Sequence, residues 1–105
     1  FIIDKLEIDT EIIISSNEGF SGQKSDLILN ICSNLNASTY LSGTGSKDYL
    51  DLNSFKEKGI TVEFMESLPA IYPQIHGDFM PGLSIIDMMM NNSSRDIRNY
   101  LYEEN

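Results

Sequence analysis

Cysteine is all but missing from this chain. Cys32 stands alone, which excludes an internal disulfide and any metal centre built on paired cysteines. It lies among Leu27, Ile28, Ile31 and Leu35, spaced as on one helix face, so a buried thiol is the expected role and a reducing, cytoplasmic setting fits. Basic residues are also scarce, seven against sixteen acidic, for a net charge of −9. Nucleic-acid binding relies on Lys and Arg against phosphates, so it is disfavoured, as is docking on anionic lipid. No apolar run exceeds about four residues, far short of a membrane span, and no signal peptide is visible. Tryptophan is absent and histidine occurs once, at His76. No histidine-based metal cluster follows, and Asp78 and Asp87 alone would make a weak cation site.

Three segments read as strands. Glu11 to Ser16 is a β-branched run without polar alternation, as in a parallel strand covered on both faces. Ser38 to Leu41 is the second, and Ile60 to Met65, which alternates more clearly, the third. Between them, Ser21 to Leu35 carries a helical pattern stopped at Asn36, and Asp51 can cap a short helix over Leu52 to Lys58. Strand, helix, strand, helix, strand predicts an α/β fold: an open, mainly parallel three-stranded sheet in βαβαβ order. Phe1 to Leu6 reads as the end of a helix begun earlier, so the expectation is a single domain or the C-terminal part of a larger one.

After Glu66 the texture changes. Residues 66–82 hold Pro69, Pro73 and Pro81 among Ile71, Tyr72, Ile75, Phe79 and Met80, which reads as an ordered arm rather than a linker. Two C-terminal helices are expected over 83–102. Ser84 caps the first, with Asp87 in a capping-box-like position; Ser93 or Ser94 caps the second. Met88 to Met90 read as core filler.

Two sites stand out. A strand running into Ser42, Gly43, Thr44, Gly45, Ser46 and Lys47 places a glycine-containing loop where open α/β sheets bind ligands. Backbone amides there could hold a phosphate with Lys47 as counter-charge, and Lys24 at the start of the first helix would share that rim. The loop lacks the Walker spacing, and a simple tight turn explains the glycines equally well. Tyr72, Gln74 and His76 form the second candidate. Their hydroxyl, amide and imidazole suit hydrogen bonding to a sugar, with His76 as general base, although a lone loop histidine is often structural.

Beyond these sites, Thr39-Tyr40-Leu41-Ser42-Gly43, Lys47-Asp48-Tyr49-Leu50-Asp51, Phe55-Lys56, Gly59-Ile60 and Val62-Glu63-Phe64 occur in order. Tyr72-Pro73-Gln74, Gly77, Phe79, Pro81 and Leu83-Ser84-Ile85-Ile86-Asp87 follow. Over Ser15 to Leu101 this resembles the C-terminal half of the WbqC-like family. Asn36 stands where members usually have glycine, and Asn91-Asn92-Ser93-Ser94 where they often have a glycine turn. The resemblance implies a part in bacterial surface polysaccharide (O-antigen type) biosynthesis, without supplying a mechanism. It points to a transferase-like enzyme on a phosphate-bearing, nucleotide- or lipid-linked sugar and leaves any cofactor open. The rival expectation is a non-catalytic module of a polysaccharide-assembly complex, its Pro-rich arm docking a partner or a second copy in a homodimer.

Overall fold

A computed structural model describes residues 1–66 and 70–102. Ser67, Leu68 and Pro69, at the start of the expected arm, lie outside the described residues. The chain divides into two compact units: unit I is Phe1–Glu11 with Leu68–Asn105, and unit II is Ile12–Ser67.

Unit II carries the sheet. Helix α2 (Ser15–Glu18) and helix α3 (Lys24–Asn34) precede strand β1 (Thr39–Gly43), a short 3-10 turn (Thr44–Ser46), helix α4 (Leu52–Glu57) and strand β2 (Thr61–Met65). The two strands run parallel, with Thr39 opposite Thr61 and Gly43 opposite Met65. The sequence sets this up locally. Asn36 takes a left-handed backbone (φ 54°) after α3, the conformation Asn tolerates best among residues with a Cβ. The Asp51 carboxylate accepts from the Ser54 amide at 3.4 Å and the Ser54 hydroxyl at 2.7 Å, capping α4 and holding its own carboxyl below the usual range. Gly59 turns the chain at φ 73° before β2. The core gathers Cys32, Leu50, Phe55 and Ile60, with Phe55 fully buried and its ring stacked 5.8 Å from Tyr40. Burial pushes the Cys32 thiol up, in line with a core role.

One expected strand does not form. Among the described residues the sheet has two strands, not three. Residues 11–14 are irregular and Ser15 already opens α2; Ile12, Ile13 and Ile14 are 59%, 39% and 61% exposed. β-branched residues favour extended backbone, and Ile14 keeps one (φ −92°, ψ 109°). A strand, however, also needs a neighbour's amides and carbonyls at the right register, and no ladder reaches this run.

Unit I is helical around a non-repetitive segment. Helix α1 (Ile2–Lys5), helix α5 (Ile85–Asn91) and helix α6 (Ser94–Tyr102) enclose Leu6, Tyr72, Met88 and Ile97. Arg98 donates to the carbonyls of Leu6 and Glu7 and pairs with the Glu7 carboxylate at 3.4 Å, fixing α6 against the end of α1. The expected caps form: Ser84 accepts from the Ile86 amide, and Ser93 from the Asp96 amide while donating to its carboxylate at 2.6 Å. Of the three methionines expected in the core, Met88 is buried and Met89 packs beside it, whereas Met90 is 78% exposed. Three successive positions span most of a helical turn, so one of them must face outward.

Candidate functional site

The arm folds back on α5 through Asp87. This carboxylate accepts from the Tyr72 hydroxyl at 2.6 Å, from Gln74 Nε2 at 3.2 Å and from Asn91 Nδ2 at 3.3 Å. Its role therefore differs from the expected capping box. The side chain does not reach back to the amide at Ser84; it collects three donors from the arm and its own helix. The Tyr72 ring explains why the arm takes this course: it is buried in the core and meets Phe79 edge-on at 5.5 Å. Gln74 then closes the loop it begins, accepting from the Met80 amide at 2.9 Å and donating to the Met80 carbonyl at 3.0 Å. Asn91 accepts from the Ile75 amide at 3.1 Å. Donation to Asp87, reinforced by burial, holds the Tyr72 phenol above its usual range.

Beside this network opens a hollow of about 380 Å³, lined by Gln74, His76, Asp78, Asp87 and Asn91 with Ile75, Met80, Leu83 and Met90. A few polar groups among apolar walls is the usual composition of a small-ligand site. The predicted pair Gln74 and His76 thus meets in one hollow. Tyr72 stands behind Asp87, its hydroxyl committed to that carboxylate, so it orients rather than contacts. Sequence reasoning gave Asp87 a capping position and, with Asp78, a weak cation site, and did not single out Asn91; the (i, i+4) spacing of Asp87 and Asn91 on one face of α5 is the signal that joins them.

In unit II the residues of the glycine loop are arranged differently. Ser42 and Ser46 are buried and hydrogen-bond to each other through their hydroxyls, and Ser46 also donates to the Gly43 carbonyl at 2.9 Å. Neither Gly43 nor Gly45 takes a positive φ, and a Cβ on either would meet nothing within 4 Å. Thr44, Gly45 and Lys47 are exposed, and Lys47 Nζ lies 5.1 Å from the Phe64 ring centre. Lys24, at φ 50°, borders a separate hollow of about 520 Å³ with Leu27, Ile28 and Tyr49, which the residues of the loop do not line. Ser25, its neighbour, accepts from the Asp51 amide at 2.9 Å and ties the starts of α3 and α4 together. Among the described residues no group of three or more His, Cys, Asp or Glu side chains is placed to hold a metal ion.

Parallel strands joined through a helix, with a separate helical unit whose arm encloses a mixed polar and apolar hollow, define a mixed α/β protein with a candidate small-ligand site. The chain belongs to the WbqC-like protein family, whose model matches residues 1–99. It is similar to the "Uncharacterized protein Rv1507c" of Mycobacterium tuberculosis, 30% identical over 91 residues. That match covers 86% of this chain and 39% of the relative, so the chain spans about two fifths of that relative's length. No solved structure matches it. Among the described residues no helix is long and apolar enough to cross a membrane.

Proposed function

We propose that the chain is part of a transferase-like enzyme of bacterial surface polysaccharide (O-antigen type) biosynthesis, acting on a nucleotide- or lipid-linked sugar. The observation that carries this reading is the hollow in unit I. There, two carboxamides, an imidazole and two carboxylates converge against aliphatic walls, a composition suited to the hydroxyls and the apolar face of a pyranose. Gln74 and Asn91 would hold hydroxyls. His76, exposed at the edge, would take a proton from an attacking hydroxyl. Tyr72 would act through Asp87 as a positioning residue. Unit II, taken by itself, keeps Thr44, Gly45 and Lys47 as a separate candidate phosphate-binding loop, with Lys24 a weaker candidate. Ser42 and Gly43 are reassigned to shaping the loop, since the Ser42 hydroxyl is paired internally.

Calorimetric titration of the full-length protein with the common sugar nucleotides tests the reading. Binding is expected, with Lys47→Ala weakening it and His76→Ala sparing binding while removing turnover. No heat across the set, with Lys47→Ala without effect, overturns it.

A second reading has its own observation. Ile71, Ile75, Met80 and Met90 are 75%, 74%, 60% and 78% exposed in one unit, more apolar surface than a solvated arm needs. As a non-catalytic module the chain would use them against a partner protein or a second copy. A concentration-dependent dimer in sedimentation, abolished by Ile75→Asp, would favour it.

A further inference from the structure

The charges around the unit I hollow say more about its ligand than its shape does. Its lining includes no Lys or Arg; the full charges are the carboxylates of Asp78 and Asp87. Among the described residues neither carboxylate pairs with a basic side chain. Asp87 is instead held by neutral donors, the Tyr72 hydroxyl and the amides of Gln74 and Asn91. Neutral donors orient a carboxylate and leave its negative charge uncancelled. A phosphate or carboxylate ligand would be repelled from such a wall. A ligand bearing an ammonium group would meet Asp87 and Asp78, while Ile75, Met80, Leu83 and Met90 cover its carbon skeleton.

We propose that this hollow binds a primary amine on a small ligand, an amino sugar with a free amino group being the class that matches its mixed lining. The side-chain oxygens of Gln74 and Asn91 accept from neighbouring hydroxyls, because their N–H groups are already spent on the Met80 and Asp87 carbonyls and the Asp87 carboxylate. His76 lines the same hollow as the two carboxylates. The inference rests on the reading of this hollow as a ligand site, and it names the ligand's charge, which that reading leaves open.

The test is titration of the isotope-labelled full-length protein with glucosamine, N-acetylglucosamine and glucose near neutral pH, followed through the side-chain amides of Gln74 and Asn91. Glucosamine is expected to shift both resonances and to bind at least about tenfold more tightly than either neutral sugar, the scale of one charge-assisted contact. Asp87→Asn should remove most of that preference. Asp78→Asn, an exposed change that leaves the Asp87 network intact, should reduce it two- to threefold, by roughly half a kcal/mol. Equal binding of the three sugars, or glucosamine binding untouched by both variants, overturns the proposal. Free lysine matching glucosamine would assign the amine to an amino acid or protein instead of a sugar and overturn the amino-sugar class. Failure of sugar-nucleotide turnover with the glucosamine preference intact would strike the transferase reading alone.

Discussion

The two units spend their polar side chains differently. In unit II, Ser42 and Ser46 are buried and satisfy each other, and Ser25 is spent on the Asp51 amide, so its polar groups build the unit. In unit I, Tyr72, Gln74 and Asn91 are spent on a carboxylate that still borders an open hollow. Hydroxyls spent on each other and on the Gly43 carbonyl contribute stability and offer little to a ligand. A carboxylate held by neutral donors is oriented and still charged. The glycine loop is therefore the better-explained structural feature, and the arm is the better candidate for chemistry.

The contrast can be broken most severely through the cores. Phe55→Ala should cost unit II about 3–5 kcal/mol, because a fully buried ring stacked on Tyr40 leaves a cavity the strands cannot close. Ile97→Ala should do the equivalent to unit I at about 2–5 kcal/mol. Hydrogen exchange should show the first variant lowering protection mainly in β1 and β2, and the second mainly in α5 and α6. Uniform loss from either would argue that the units unfold as one.

The serine pair sharpens the contrast. Ser46→Ala leaves the buried Ser42 hydroxyl only the Gly43 carbonyl at 3.2 Å and should cost about 0.5–1.5 kcal/mol by urea unfolding, whereas the double change Ser42→Ala with Ser46→Ala should cost less than the sum of the two singles. Additive losses would mean the hydroxyls are not one closed pair. At α5, Ser84→Ala should cost about 1 kcal/mol through loss of its cap to the Ile86 amide.

The smallest effect is one of pH. The Tyr72 phenol is raised above its reference value of 10.0 by donating to Asp87. The unfolded chain therefore loses this proton first as pH rises. Stability from the bond is fully present below about pH 10 and is lost as pH climbs through the folded value. Urea unfolding of Tyr72→Phe should be flatter than the parent's across that alkaline window; identical slopes would show that the hydrogen bond is not held in solution.

Much of the fold was legible residue by residue. Asp51, Ser84 and Ser93 begin helices by side-chain hydrogen bonds that act over two or three positions, and Asn36 turns the chain after α3 through its left-handed backbone. The placing of Cys32 inside follows from the helical spacing of the apolar residues around it. The strand expected at Glu11 to Ser16 was not legible, because three isoleucines state a preference for extended backbone and say nothing about which neighbour supplies a ladder. Asp87 shows the same limit within the site. Three residues after Ser84, it has the spacing of a capping partner, yet its oxygens belong to Tyr72, Gln74 and Asn91.

The amino-acid sequence by itself determined several helix caps, the acidic balance, the lone buried thiol and the family to which the chain belongs, because local propensities and motif blocks are written in neighbouring residues. Only the tertiary structure decided that the sheet has two strands among the described residues, that the loop serines face each other, and that Asp87, thirteen residues from Gln74, shares a hollow with it and His76. The physical reason is that hydrogen-bond partners and charge neighbours are set by packing at a distance along the chain, where a core tyrosine such as Tyr72 fixes which loop meets which helix.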